Sequence, residues 1–301
     1  MKNDILLIST GGTISCVQHE DGAAPEADIS QLERFLTAVG EEADILPLMN
    51  IDSTDMDLQA MGRIASACDR AFRDGAKGIV ITHGTDTMAY TAAYLTYALR
   101  GIPIPVMLTG SQLPFDAPDS DAPSNLSHAF AAARRCLAGV HIVFGSKVLF
   151  GDRAMKSHSR DMDAFTSPDG CYSAAVEDGE IRPLTDCSDP SAGYRMRIPE
   201  HTAVGALYIT PYTSPEEIVH MAQLCPDGLV LCGYGLGGIP SRLLDAIGHT
   251  NIPILVTTQC AFGGVDMSVY AVGNAAVRAG AVPADMTTEA ALCRLMFGGR
   301  T

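Results

Sequence analysis

The strongest constraint on the fold of this chain is an alternation. Short apolar runs at residues 4–9, 43–48, 78–82, 104–109 and 140–145 are separated by segments at 57–73, 87–99 and 122–138 that have helical length and helical apolar spacing. Parallel strands need long crossover connections, and a helix is the usual one, so the pattern predicts a mostly parallel sheet covered by helices. Residues 150–172 are irregular and polar. The stretch 183–200 carries Pro183, Pro190, Gly193 and Pro199 among Ser and Asp and reads as a linker. A second α/β pattern follows: strands at 204–210, 228–233 and 252–258, helices at 215–224, 241–248 and 268–279, and a last helix near 287–297. The fold class is therefore two α/β domains, a larger one over 1–185 and a smaller one over 204–301, joined by a linker at 186–203.

Such sheets bind ligands at the carboxyl ends of their strands. Two of those ends carry the same device. The run Ile5–Ile8 enters S-T-G-G-T-I-S at 9–15, and Gly78–Ile81 enters T-H-G-T-D-T at 82–87. Each is a strand, a glycine turn and a hydroxyl. A hydroxyl beside free backbone N–H groups is the minimum equipment for acyl transfer. Taken singly, each turn also has an ordinary explanation. Gly11 and Gly12 permit a tight βα turn in which Thr13 caps, and Thr85 or Asp86 can serve as an N-cap for the helix over 87–99. Taken together, two hydroxyls with a carboxylate beside one of them can share a crevice. Asp86 can then hold an ammonium and the turn N–H groups an oxyanion.

Only four lysines occur, Lys2, Lys77, Lys147 and Lys156. Lys156 lies in the irregular segment. It is either a solvated loop cation or a crowded amine able to act as base toward a hydroxyl. Gly233, Gly235 and Gly238 spell G-x-G-x-x-G after a strand. The following strand ends in Thr257, Thr258 and Gln259, with no acidic residue to take a ribose, so a tight βα turn explains the glycines better than a dinucleotide site. His83 suits loop orientation better than catalysis.

Bulk composition narrows the classes. Net charge is −15 with no basic patch beyond the isolated Arg134–Arg135 pair, which argues against nucleic acid as a partner. No apolar run is long enough for a signal-peptide core or a membrane span, so a cytoplasmic protein without membrane partners is expected. The nine cysteines include no C-x-x-C pair, and several (Cys136, Cys232, Cys260) sit in apolar runs, as reduced core thiols do. No Cys/His cluster has metal-ligand spacing, and neither a nucleophile elbow nor a P-loop occurs.

The ordered pair S-T-G-G-T-I-S and T-H-G-T-D-T-M-A-Y-T-A (82–92) resembles the bacterial L-asparaginase family. So do N-I-D-S-T-D-M at 50–56, L-T-G-S-Q-L-P at 108–114, S-D-A-P-S-N-L at 120–126 and D-R-A-M-K at 152–156. V-T-T-Q-C at 256–260 and V-Y-A-V-G at 269–273 resemble the cytoplasmic-type C-terminal domain. The resemblance implies hydrolysis of L-asparagine to L-aspartate and ammonia, with no metal or organic cofactor, in a homodimer or homotetramer. It implies Thr13 as nucleophile, and Thr85, Asp86 and Lys156 as a second, triad-like group. Ser53 would bind the substrate α-carboxylate and Asp86 its α-amino group. The N–H groups of Gly12 and Thr85 would form an oxyanion hole, and the Ser111 backbone would accept from the substrate amide. Two departures stand out. The family usually carries a tyrosine in the loop after the first motif, whereas no Tyr occurs from Ile14 to Ala89, and the loop at 16–29 offers Gln18, His19 and Glu20 instead. Thr54 stands where the family commonly has Gln. Alternatives are an amidase acting on glutamine or on a larger amide-bearing molecule, and an asparagine-binding sensor with weak or no turnover. An asparaginase-like component of a tRNA-dependent amidotransferase would be expected to carry an extra N-terminal module.

Overall fold

The computed structural model describes residues 2–19, 22–25, 28–135, 138–184 and 194–299. The chain forms two compact units, residues 1–197 and 198–301. Of the linker expected at 186–203, residues 186–193 lie outside the described residues, as do Glu20 and Cys136.

The N-terminal unit contains β1 (Ile5–Gly11), β2 (Cys16–His19), β3 (Gly22–Pro25), α1 (Ile29–Val39), β4 (Asp44–Ile51), α2 (Leu58–Arg73), β5 (Gly78–Thr82), α3 (Met88–Ala98), β6 (Pro105–Thr109), α4 (Ala122–Arg134), β7 (Gly139–Phe144), β8 (Lys147–Phe150), β9 (Met155–Lys156), β10 (Phe165–Thr166), β11 (Tyr172–Glu177) and β12 (Glu180–Pro183). Eight of these strands form one sheet in the order β12-β11-β8-β7-β6-β5-β1-β4. From β7 to β4 all neighbours are parallel, and β8, β11 and β12 extend the sheet antiparallel. Parallel pairing is what the α/β alternation predicts. The antiparallel extension and the β2–β3 hairpin occupy segments where the pattern predicts no strand.

Both faces of the parallel part are covered. Alternate strand residues Leu7, Val80, Met107 and Val143 join Leu32 and Phe35 of α1 and Leu126 and Phe130 of α4 in one buried cluster. Their neighbours Ile8, Ile79, Ile81, Leu108 and Ile142 are equally buried. Strands apolar on both faces are the mark of a sheet sandwiched between helices. α3 is buried almost all round and is rich in alanine, which lets it lie close to the sheet. Burial of a side chain such as Phe130 is worth roughly 2–3 kcal/mol, so the two layers fix the strand register rigidly.

The C-terminal unit repeats the scheme at smaller scale. It holds β13 (Val204–Tyr208), α5 (Pro215–Leu224), β14 (Gly228–Gly233), α6 (Leu244–His249), β15 (Ile254–Thr258), α7 (Ala271–Arg278), β16 (Ala281–Pro283) and α8 (Thr288–Met296). The four strands are parallel in chain order. A reciprocal capping box between Ser214 and Glu217 starts α5, satisfying two otherwise orphaned N–H groups. The glycines after β14 close on themselves: the Tyr234 and Gly238 backbones exchange hydrogen bonds at 2.9 and 2.6 Å. That closure is the geometry of a tight βα turn. No helix among the described residues is long and apolar enough to cross a membrane.

Candidate active site

Because β6, β5, β1 and β4 are adjacent and parallel, their carboxyl ends lie along one edge in that order. The four turns that follow them carry Ser111 and Gln112, Thr85 and Asp86, Thr13, and Ser53 and Thr54 respectively. The site is thus a row of neighbouring strand ends.

Two glycines bring the threonine turns together. Gly12 lies at φ +79°, which L side chains rarely adopt, and a Cβ there would fall 2.4 Å from Gly84 N. A Cβ on Gly84 would fall 2.5 Å from Ser53 Oγ. Backbone touches backbone where the two threonine turns meet, and only glycine permits it. The Thr10 hydroxyl adds a tie, donating to the Thr82 carbonyl at 2.9 Å.

Lys156 completes the second group. Its Nζ donates to Thr85 Oγ1 at 2.8 Å and to Asp86 Oδ1 at 2.6 Å. β9 pairs antiparallel with β10, setting Lys156 opposite Phe165, and the Lys156 side chain is 18% exposed. This is the crowded amine, not the solvated loop cation. The Ser53 hydroxyl accepts from Asp86 N at 3.3 Å, so its own hydrogen remains available to a carboxylate. Ser53 O also accepts from Thr87 Oγ1 at 2.7 Å, which ties the fourth turn to the second.

His83 sits behind Thr85, fully buried. Its Nδ1 lies 2.7 Å from Gly84 O and its Nε2 2.9 Å from Thr91 Oγ1. A carbonyl only accepts, so Nδ1 carries the hydrogen and Nε2 accepts from Thr91. Burial pulls its pKa down to about 4, keeping the ring neutral. The C=O and N–H of a trans peptide point in opposite directions, so fixing the Gly84 carbonyl also aims the Thr85 N–H away from the ring. That is the orienting role expected for His83.

Other candidates are occupied. Gly12 N donates to Ile51 O at 3.1 Å, so the N–H expected to face an oxyanion is spent on the neighbouring strand. The Thr54 hydroxyl and N–H both donate to Asp52 Oδ1 at 2.8 Å. The buried Ser111 hydroxyl donates to Leu113 O in a short contact, leaving only the backbone of Ser111 for a ligand. The Thr13 hydroxyl has no hydrogen-bond partner among the described residues, and Thr13 N–H, first in a 3-10 turn, has no intrahelical acceptor.

One contributor, Gln112, lies in the L-T-G-S-Q-L-P segment at 108–114 but is not among the site residues that the sequence singles out. Gln112 Oε1 accepts from Thr85 Oγ1 at 3.4 Å, while its Nε2 donates to Asp161 O at 2.9 Å. Asp121 holds the turn after β6 by accepting from the N–H groups of Gln112 and Leu113 at 3.0 and 3.1 Å. No group of three or more His, Cys, Asp or Glu able to hold a metal occurs among the described residues.

The site is a row of hydroxyls with one lysine and one carboxylate at parallel strand ends, the groups that acyl chemistry requires. Residues 4–187 match the family described as asparaginase, N-terminal, and residues 203–298 match the glutaminase/asparaginase C-terminal domain. The chain is 40% identical to an L-asparaginase of Thermococcus kodakarensis, over 97% of this chain and 92% of that one. The solved structure of the thermostable L-asparaginase from that organism superposes with a TM-score of 0.90 at 38% identity, covering 99% of this chain and 93% of the other. L-asparaginase I from Vibrio cholerae gives 0.85 at 29% identity, with coverage of 97% and 92%. The chain is also 34% identical to a component of the glutamyl-tRNA(Gln) amidotransferase of Pyrococcus furiosus, over 97% of its own length and 71% of the relative's. The chain belongs to the asparaginase family.

Proposed function

We propose that the protein is an L-asparaginase that hydrolyses L-asparagine to L-aspartate and ammonia through an acyl-enzyme on Thr13. The observation that carries the reading is Lys156 Nζ within 2.8 Å of the Thr85 hydroxyl and 2.6 Å of Asp86. The substrate α-carboxylate meets the Ser53 hydroxyl, and its α-ammonium meets the free oxygen of Asp86. Thr13 Oγ attacks the side-chain amide carbon. Its proton passes by way of Thr85 to the neutral Lys156 amine and returns to the amide nitrogen, which leaves as ammonia. Water then attacks the ester, and its proton follows the same route back to Thr13 Oγ. The oxyanion of each tetrahedral intermediate is held by the N–H groups of Thr85 and Thr13, because that of Gly12 is taken. The Ser111 carbonyl accepts from the amide NH2. The N-terminal unit carries this machinery, and we place the chain with the cytoplasmic, type I-like enzymes as a homodimer or homotetramer.

Ammonia release from purified protein with L-asparagine, L-glutamine and their D-forms tests the reading. Release from L-asparagine, abolished in Thr13→Ala, is the expected result. Full activity in Thr13→Ala would remove that threonine as nucleophile. Binding of asparagine without turnover would make the protein a sensor. The likeness to the amidotransferase component supports a second reading, an amidase feeding ammonia to another reaction; preferential turnover of glutamine would favour it. Light scattering that found a stable, active monomer would reject the oligomer.

A further inference from the structure

Gln112 takes no part in the chemistry just described, yet its side chain touches Thr85. Its backbone is planted independently: its N–H donates to both Asp121 carboxylate oxygens at 3.0 Å, and Asp121 is steadied by Asn125 Nδ2 at 3.0 Å. The amide orientation follows from its partners. The Asp161 carbonyl at 2.9 Å can only accept, so it must face the NH2 end, which leaves Oε1 toward Thr85.

Hydroxyl accounting then assigns a purpose. Thr85 has one hydrogen. When Lys156 is a neutral amine, that hydrogen points at Nζ. When Lys156 is an ammonium, Nζ donates to Thr85 Oγ1 and the Thr85 hydrogen must turn elsewhere. Gln112 Oε1 is the acceptor in reach. At 3.4 Å the bond is long beside the usual 2.5–3.0 Å of O–H···O contacts, so the hydrogen is steered but loosely held.

We propose that Gln112 is a positioning residue that orients the Thr85 hydroxyl in the ammonium state of Lys156, and that through Asp161 it ties the lysine-bearing segment to the turn after β6. The inference rests on the reading that Lys156 and Thr85 carry the proton. In the step concerned, Thr85 Oγ–H leaves Gln112 and its proton bonds to the departing nitrogen. A proton from Nζ replaces it on Thr85, and Lys156 is left as a neutral amine. No outside acid or base is consumed.

Two variants test this. Gln112→Leu removes the acceptor and lowers kcat on the order of 10²-fold with KM changed less than about threefold, since orientation rather than substrate binding is lost. Gln112→Glu behaves differently with pH. The ionised carboxylate repels the Asp161 carbonyl, whereas the protonated acid offers one C=O and one O–H in place of the amide's acceptor and donor. The ratio of Gln112→Glu to wild-type kcat therefore rises as pH falls through the glutamate range of about 4 to 6. A flat ratio, or a Gln112→Leu enzyme that keeps its kcat, would overturn the assignment. Should Gln112→Leu fail to fold, Gln112→Met serves for the same comparison. If the wild-type protein released no ammonia from any amide tested, the functional reading would fail instead. The Gln112 contact would then be read from the 15N signal of Lys156 Nζ, resolvable among four lysines; a signal unmoved by Gln112→Leu would sink it.

Discussion

The two threonine turns share a motif but not a neighbourhood. Thr85 is 5% exposed, and its hydroxyl has Lys156 and Gln112 as partners, with His83 fixing the peptide behind it. Thr13 opens a 3-10 turn beside Gly12 and has no hydrogen-bonded base among the described residues. The difference teaches that a repeated sequence signal can mark a division of labour. One turn joins its hydroxyl to a lysine amine and a glutamine amide. The other leaves its hydroxyl without a hydrogen-bond partner among the described residues.

The largest expected effect comes from severing the relay proposed for Thr85 and Lys156. Thr85→Val and Lys156→Met should each lower kcat by roughly 10³–10⁴-fold, and the double variant little more, because the two groups act as a unit. Additive losses in steady-state ammonia assays would break the pairing. Acid should weaken the Thr85 turn next. Burial lowers His83 from 6.5 to about 4, so between those values the unfolded chain binds a proton that the folded chain refuses. His141 of β7, also buried, is lowered to about 4 in the same way. Stability is therefore intact above pH 6.5 and falls as pH drops toward 4, by on the order of 3 kcal/mol for each histidine. Urea melts at pH 7, 5.5 and 4.5 measure this, and replacing His83 by a non-titrating residue should remove about half of the slope.

Gly84→Ala probes the contact between the turns. Its Cβ would collide with Ser53, and a displacement of the Thr85 turn should cost on the order of 10²-fold in kcat/KM. Unchanged kinetics would mean that the turns move freely of each other. The smallest effect belongs to Thr54→Ala, because Asp52 already takes the Thr54 hydroxyl: KM for asparagine should stay within about twofold. A tenfold rise would return Thr54 to the substrate.

Much of the fold was legible because its signals are local. Most of the parallel strands announce themselves as apolar runs, though the three-residue β16 falls outside the predicted strands, and both threonine turns follow directly from strand–glycine–hydroxyl sequences. Other signals were present but weaker. Asp28 caps α1, Leu32, Phe35 and Leu36 give it a buried stripe, and Gly40 ends it at φ +69°. Asp178 and Gly179, both at positive φ, turn β11 into β12 in the way a D-G hairpin dipeptide does. The candidate site was legible in part. Lys156 stood out by rarity and resemblance, but its approach to Thr85 depends on the β9–β10 pairing, which two-residue strands cannot advertise. The commitment of Gly12 N to Ile51 and the reach of Gln112 are geometric facts with no periodicity or spacing behind them.

The contact of Gly12 with Gly84 bears on how such an enzyme can be altered. Segments far apart in sequence behave as one casting, since a methyl group on Gly12 would strike the Gly84 backbone and one on Gly84 would strike Ser53. Loop exchange at either turn alone would be rejected. Retargeting toward a different amide is left to side chains outside this contact, while the casting itself is inherited whole.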